Sequence, residues 1–305
     1  MVIKPSEMTP VSISELAKIF AQVLPPVSST SSPAQGRLPA RPCWITRRYR
    51  SWHSPVPPES ATPSPKPQPK DWYQQRWSWR QIGEYRFPRR ELGQGRRGAA
   101  LAILWNQGQA CESGARLFIH ESIYDRFIDE LKAKFTTARV GDPLSPDTQV
   151  GSLISKAQLE RVLGYVETGR AEGATVLTGG RRLTGGDYDS GFFVEPTILV
   201  DVRNDMRVAS EEIFGPVLVV IPFKDEDEVI ALANDSEYGL AGTVWTQDIN
   251  RALRVARAVE TGRMWVNTAH EIPAHAPFGA TRNPVWAAKP TNPCLTRTPT
   301  RRTST

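Results

Sequence analysis

From Gly98 to Val266 the chain alternates short apolar runs with segments whose apolar residues recur at helical spacing, and this leaves few folds open. Leu117 to Ile119, Thr175 to Leu177, Thr197 to Val200 and Gly242 to Thr246 read as strands. Val217 to Pro222 is a continuous apolar run behind Gly215-Pro216, the pattern of a strand buried on both faces. Between them, Ser122 to Arg139 places Ile123, Phe127, Ile128, Leu131 and Phe135 on one helical face. Ser155 opens a helix carrying Leu159, Val162, Leu163 and Val166, which Gly173 closes. Asp225 and Asp248 sit where N-caps belong, ahead of helices running through Ala233 and to Val259. Gly98 to Trp105 is a short apolar helix. Such alternation predicts an α/β domain with a mostly parallel sheet.

A single cysteine, Cys111, follows that short helix in the loop Asn106-Gln-Gly-Gln-Ala-Cys-Glu-Ser-Gly-Ala-Arg116. Small neighbours let a substrate approach closely, and loop N–H groups favour a thiolate and can hold an oxyanion. A lone cysteine is more often a buried structural residue.

The loop resembles the active-site signature of the NAD(P)-dependent aldehyde dehydrogenases. Further landmarks follow in the family's order: Gly191-Phe-Phe-Val-Glu-Pro-Thr197, Glu211-Glu-Ile-Phe-Gly-Pro-Val217, Tyr238-Gly-Leu-Ala-Gly242 and Met264-Trp-Val-Asn267. Ile3-Lys-Pro-Ser-Glu7 and Leu24-Pro-Pro26 are similar to a segment of its cofactor domain. The resemblance implies a catalytic domain over residues 97–279 and a fragment of a Rossmann-like cofactor domain over residues 1–26. It implies Cys111 as nucleophile, with Glu212 on the nicotinamide ribose and Phe214 near the ring. Lys4 and Glu7 would contact the adenosine side of NAD or NADP. In the family, thiolate attack gives a thiohemiacetal, hydride leaves to the nicotinamide, and a glutamate base activates water to hydrolyse the thioester. The expected substrate is a small aldehyde, and the expected assembly a homo-oligomer.

Two stretches fit neither pattern. Residues 27–96 hold eleven prolines and five tryptophans without helical or alternating period, and carry a net charge of +9. Residues 280–305 carry +5, so the rest of a chain whose total is +6 has a net charge of −8. The overall basicity is therefore local. Taken as a functional segment, 27–96 would be a basic aromatic arm for nucleic acid or a Pro-rich docking segment, in a non-catalytic protein. Salt-dependent binding by residues 27–96 would favour that alternative.

The genetic code gives another reading, in which both stretches are family sequence translated out of frame. His53 to Lys70 can be encoded so that one added G in front yields Ala-Phe-Thr-Gly-Ser-Thr-Gly-Ile-Gly-Asn-Ala-Ile-Ala-Lys-Ala-Ala-Ala-Lys. That contains the family's phosphate-side turn. Asp71 to Trp79 re-divides to Gly-Leu-Val-Pro-Ala-Thr-Leu-Glu-Leu, where the family's general-base motif begins. Ala280 to Ala288 re-divides to Gly-Tyr-Lys-Glu-Ser-Gly-Leu-Gly-Gly, a further landmark. Single-base losses near Val27, Arg80 and Arg97 restore the frame by Gly98. On this reading 27–96 and 280–305 are aberrant and disordered, and Glu91-Leu92-Gly93 only mimics the base motif. The general-base glutamate is absent from the translated chain, as are the oxyanion asparagine and the early cofactor strands. Impaired activity is the expectation.

The remaining features exclude other classes. Cys43, Cys111 and Cys294 make no disulfide framework, and no apolar stretch is long enough to span a bilayer. With no secretory layout at the N-terminus, the cytoplasm is the expected compartment. His53, His120, His270 and His275 lack ligand spacing, so no metal site is expected. Asp225 to Glu228 is an acidic helix start rather than a catalytic pair.

Overall fold

The computed structural model describes residues 92–272 continuously, together with 2–3, 9, 11–23, 30–31, 51–54, 73–76, 83–86, 279 and 303–304. Side chains are described at 9, 11–22, 98–272 and 279. The chain divides into two compact units, residues 1–78 with 285–292 and residues 79–284 with 293–305. In the first unit β1 (Val2–Ile3) pairs in parallel with β2 (Thr30–Ser31), and β3 (Ser51–Ser54) with β4 (Tyr73–Arg76). Helix α1 (Val11–Val23) presents an exposed Glu15–Lys18 ion pair. Apart from these strands, a strand at Gly83–Arg86 and the start of a helix at Leu92, the stretch 27–96 lies outside the described residues; so does 280–305 apart from 303–304.

The second unit is built on one sheet. Its strands are β5 (Gly83–Arg86), β6 (Arg116–His120), β7 (Thr175–Thr178), β8 (Thr197–Val200), β9 (Val217–Phe223), β10 (Ala241–Trp245), β11 (Arg263–Val266) and β12 (Thr303–Ser304). They lie in the order β12-β11-β10-β5-β6-β9-β8-β7, and every pair is parallel except β7 against β8. The mostly parallel α/β sheet expected from the alternation is therefore present.

Alternate residues of the central strands explain the continuous apolar runs. On one face Phe118, Val219 and Ile221 pack with Leu159, Val162 and Val166 of α4 (Lys156–Ala171), Val229 of α6 (Glu226–Asn234) and Val255 of α7 (Ile249–Ala258). On the other, Leu117, Ile119, Leu218 and Val220 pack with Ile103 of α2 (Leu92–Leu104) and with Phe127, Leu131 and Phe135 of α3 (Tyr124–Thr136). A strand sandwiched this way has no polar face to show. A four-residue helix, α5 (Arg207–Ser210), precedes the second landmark.

Helix ends follow their capping chemistry. Ser155 accepts from Gln158 N, Asp225 from Glu228 N, and Asp248 from Asn250 N and Arg251 N. Those two amides hold the exposed Asp248 carboxyl below its usual range. Helix α3 starts later than its periodicity implies, because Glu121–Ile123 forms a single 3₁₀ turn. It ends sooner, because the Thr136 and Thr137 hydroxyls turn back onto the last carbonyls at Ala133. Helix α2 begins at Leu92 rather than Gly98. Replacing Asp225 by Ala is expected to cost about 1 kcal/mol, since it orphans an N-terminal amide. Chemical denaturation of the two chains checks it, and an unchanged midpoint would show that the cap carries no stability.

Candidate active site

Helix α2 ends at Leu104 and the chain then makes a tight 3₁₀ turn through Trp105–Gly108. Asn106, Gln107 and Gly108 all have left-handed backbones, with φ of 50°, 57° and 69°. Each such residue other than glycine costs roughly 1–2 kcal/mol, so the turn is held by its surroundings. Asn106 Nδ2 donates to Gln109 O at 2.9 Å, and Gln109 Oε1 accepts from Ile154 N at 3.0 Å. On the far side Gly114 N returns to Ala102 O of α2 at 2.9 Å, just before β6. Cys111 is thus presented on a short loop tied to one helix and fed into a central strand.

The Cys111 side chain is half-buried and packs against Leu240, Ala241 and Trp265 at the starts of β10 and β11. Burial, then the neighbouring Glu112 charge, then Glu212, push its thiol up to about 12. The backbone N–H groups of Cys111 and Glu112 act in the opposite direction and favour the thiolate. They are also what an oxyanion formed at this cysteine would need. The resting side chain is therefore a thiol. Nucleophilic use requires a group that takes its proton, or a positive charge beside it.

Glu212 reaches this centre from the loop ahead of β9, close enough for its charge to act on the thiol. That loop is held from α4. Gln158 Nε2 donates to Ile213 O at 3.1 Å and to Phe214 O at 2.8 Å, and Arg161 Nη2 donates to Glu212 O at 2.6 Å. Three successive carbonyls are gripped by two side chains one turn apart. The grip offsets the left-handed backbone of Phe214, whose φ is 60°. Glu211, which by sequence reads as half of a solvated pair, is instead anchored. Arg207 holds it at 2.8 and 3.0 Å and Tyr165 Oη donates to it at 2.7 Å. Arg207 chiefly keeps the Glu211 carboxyl below its usual range, and burial pushes the Tyr165 phenol up to about 12.

The cysteine loop and the glutamate loop touch at their glycines. A Cβ on Gly108 would run into the carbonyl oxygen of Gly215. Of the residues implied by resemblance, the structure brings Cys111, Glu212 and Phe214 into one region, whereas Lys4 and Glu7 lie outside the described residues. Gln158 and Arg161 were not singled out by sequence. Their i, i+3 spacing puts them on one face, but polar residues near a helix start ordinarily face water. Glu112, which is buried, and His270, whose side chain is 10% exposed, were missed as well. Among the described residues no group of three or more His, Cys, Asp or Glu could hold a metal ion.

A half-buried carboxylate beside a half-buried thiol, on two loops fixed by one helix each, suits a diol held next to a reacting carbon. The residues present thus fit the ribose end of a nicotinamide cofactor. Residues 90–285 match the profile of the aldehyde dehydrogenase family. An aldehyde dehydrogenase of Rhodospirillum rubrum is 49% identical over 175 residues, which are 57% of this chain and 34% of that protein. Betaine aldehyde dehydrogenase of Staphylococcus aureus, solved in complex with NAD+, superposes with a TM-score of 0.85 at 28% identity, over 93% of this chain and 56% of that one. An NAD-dependent aldehyde dehydrogenase from Sinorhizobium meliloti gives 0.84 at 30% identity, over 92% of this chain and 56% of its own. The chain thus spans about a third of the curated relative and little more than half of the solved structures. With the fold, the cysteine loop and most of the length of the second unit in agreement, the chain belongs to the aldehyde dehydrogenase family.

Proposed function

We propose that the chain derives from an NAD(P)-dependent enzyme that oxidises a small aldehyde to its carboxylic acid, with Cys111 as the nucleophile. The observation that carries this is the Cys111 loop. It presents a half-buried thiol whose ionisation the backbone N–H groups of Cys111 and Glu112 favour, with Glu212 within electrostatic reach. Cys111 attacks the carbonyl carbon, and the amides of Cys111 and Glu112 stabilise the oxyanion that forms. Glu212 holds the ribose and so orients the cofactor, with Phe214 against the ring and Gln158 and Arg161 keeping that loop in place. Lys4 and Glu7 serve the adenosine side. When bound, the nicotinamide supplies a hydride acceptor. The thioester left on Cys111 then needs an activated water.

The frame-shifted reading of 27–96 and 280–305 belongs to the same proposal. The base motif lies under the codons of Trp77 to Gln81, and so the translated chain lacks the glutamate that would activate that water. Re-sequencing the coding DNA through codons 20–100 and 275–285 distinguishes real frame breaks from a continuous reading frame. No helix among the described residues is long and apolar enough to cross a membrane, which is compatible with a cytoplasmic enzyme working as a homo-oligomer.

The decisive substitution is Cys111→Ser in the frame-repaired enzyme. It is expected to abolish aldehyde-dependent nicotinamide reduction while leaving the midpoint of thermal unfolding nearly unchanged, because a hydroxyl replaces a thiol of similar size. Retained turnover would show that another group is the nucleophile.

A further inference from the structure

Behind the nucleophile lies a pair of largely buried ionisable side chains with no part in the chemistry just described. Glu112 is 3% exposed, and its Oε1 lies 3.1 Å from His270 Nδ1. The other ring nitrogen, His270 Nε2, lies 3.1 Å from Ala102 O. These two contacts fix the proton count. A carbonyl oxygen only accepts, so Nε2 must carry a hydrogen. An imidazole lone pair and a carboxylate both accept, so one further proton must lie between Nδ1 and Oε1. The pair is then imidazolium with carboxylate, or imidazole with carboxylic acid, and its net charge is zero either way.

The same contacts close a ring around the cysteine turn. Ala102 O accepts from Gly114 N as well as facing His270, while Glu112 joins the turn to His270 from within. His270 has a left-handed backbone, with φ of 62°, and its ring stacks on Trp105 with centroids 4.9 Å apart. Its turn is fixed through the Glu271 carbonyl, which accepts from Trp265 Nε1 at 2.7 Å and from Arg263 Nη1 at 3.3 Å. Among the described residues, the ionisable groups around the pair are few. Cys111 adjoins Glu112 in the chain, and Arg263 on β11, almost fully buried, feels the Glu112 charge. Trp105 and Trp265 flank His270 and are neutral. Glu212 acts on Cys111 from the far side. Glu112 Oε2 is buried and has no hydrogen-bond partner among the described residues, so the shared proton and Arg263 are what stabilise that carboxyl.

We infer that Glu112 and His270 form a proton-sharing positioning pair that holds the Cys111 turn and sets how readily Cys111 ionises. This rests on Cys111 being the nucleophile, and it assigns no contact with substrate to either residue. The Glu112 carboxyl stands next to Cys111 in the chain, and its negative charge disfavours the thiolate; His270, by sharing a proton with it, holds that charge away from the sulfur.

The test uses the full 305-residue chain and needs neither aldehyde nor cofactor. The rate of Cys111 alkylation by iodoacetamide is followed against pH, read by mass spectrometry on the peptide that carries Cys111, so that Cys43 and Cys294 do not contribute. Because the thiolate is the reacting species, the rate reports ionisation. Glu112→Gln removes the charge but keeps the shape, and is expected to speed alkylation about tenfold at fixed pH below the midpoint, one unit of pKa. His270→Gln is expected to alter the profile when Glu112 is present and to have no further effect in the Glu112→Gln background. The proposal is overturned if Glu112→Gln reproduces the parent profile. It is equally overturned if His270→Gln changes nothing, or changes both backgrounds alike. Variants that react like the chain unfolded in urea would assign the pair a structural role only, and that too overturns it. Failure here leaves the Cys111→Ser result untouched, so the two readings stand or fall separately.

Discussion

The 305-residue chain is expected to show no aldehyde-dependent reduction of NAD or NADP above background, whereas a frame-repaired, full-length counterpart turns over. Three physical deficits act on different steps. Hydride transfer requires the cofactor to be held against the carbon bonded to Cys111, and the chain spans only 56% of a solved relative that holds NAD+. Glu212 and its α4 supports can orient a ribose, but they cannot bind a dinucleotide alone. The water that releases the acid needs a base, and general-base catalysis contributes about 10²–10⁴-fold, so its absence alone would leave the acyl group on the cysteine. Lastly, the Cys111 thiol is pushed up to about 12 by burial, Glu112 and Glu212, and is thus mostly un-ionised at neutral pH. The measurement is nicotinamide absorbance with a panel of short aliphatic and aromatic aldehydes, for both proteins. Turnover by the 305-residue chain close to that of the repaired enzyme would mean that residues 27–96 and 280–305 are functional as written.

Gly108→Ala is expected to destroy the site in the repaired enzyme and to destabilise the second unit by several kcal/mol. Two effects add. The left-handed backbone at φ of 69° costs an L residue roughly 1–2 kcal/mol. The new methyl group would also meet the Gly215 carbonyl, which is backbone and cannot rotate away. Relief requires moving the cysteine loop from the Glu212–Phe214 loop, and that separation is the one on which ribose and thiol geometry depend. Denaturant unfolding and cofactor affinity should therefore fall together. The contrasting control is Gly164→Ala on α4, where a methyl group would meet nothing within 4 Å. That change is expected to be neutral or slightly stabilising, since alanine is the better helix former. If the two substitutions had equal effects, close contact between the loops would not be what Gly108 provides.

Much of the second unit was legible in the residues because its signals are local. Apolar runs such as Val217 to Pro222 could only be strands buried on both faces, and Ser155, Asp225 and Asp248 mark helix starts through their own side chains. The cysteine loop was legible for the same reason, since its small residues and its cysteine are neighbours in the chain. What the amino-acid order left hidden depends on contacts across long separations. Glu112 and His270 look like ordinary polar residues until the sheet brings the turn after β11 against the turn after α2, 158 residues away. Gln158 and Arg161 look like a solvated helix face until the Glu212–Phe214 carbonyls dock on it. Helix bounds moved as well, as at α2, which starts at Leu92 rather than at Gly98. Sequence alone thus determined the strand and helix pattern and the cysteine loop, because hydrophobic period and capping act over a few residues. Only the tertiary structure decided which charges surround Cys111, because burial and electrostatic pairing arise where distant segments meet.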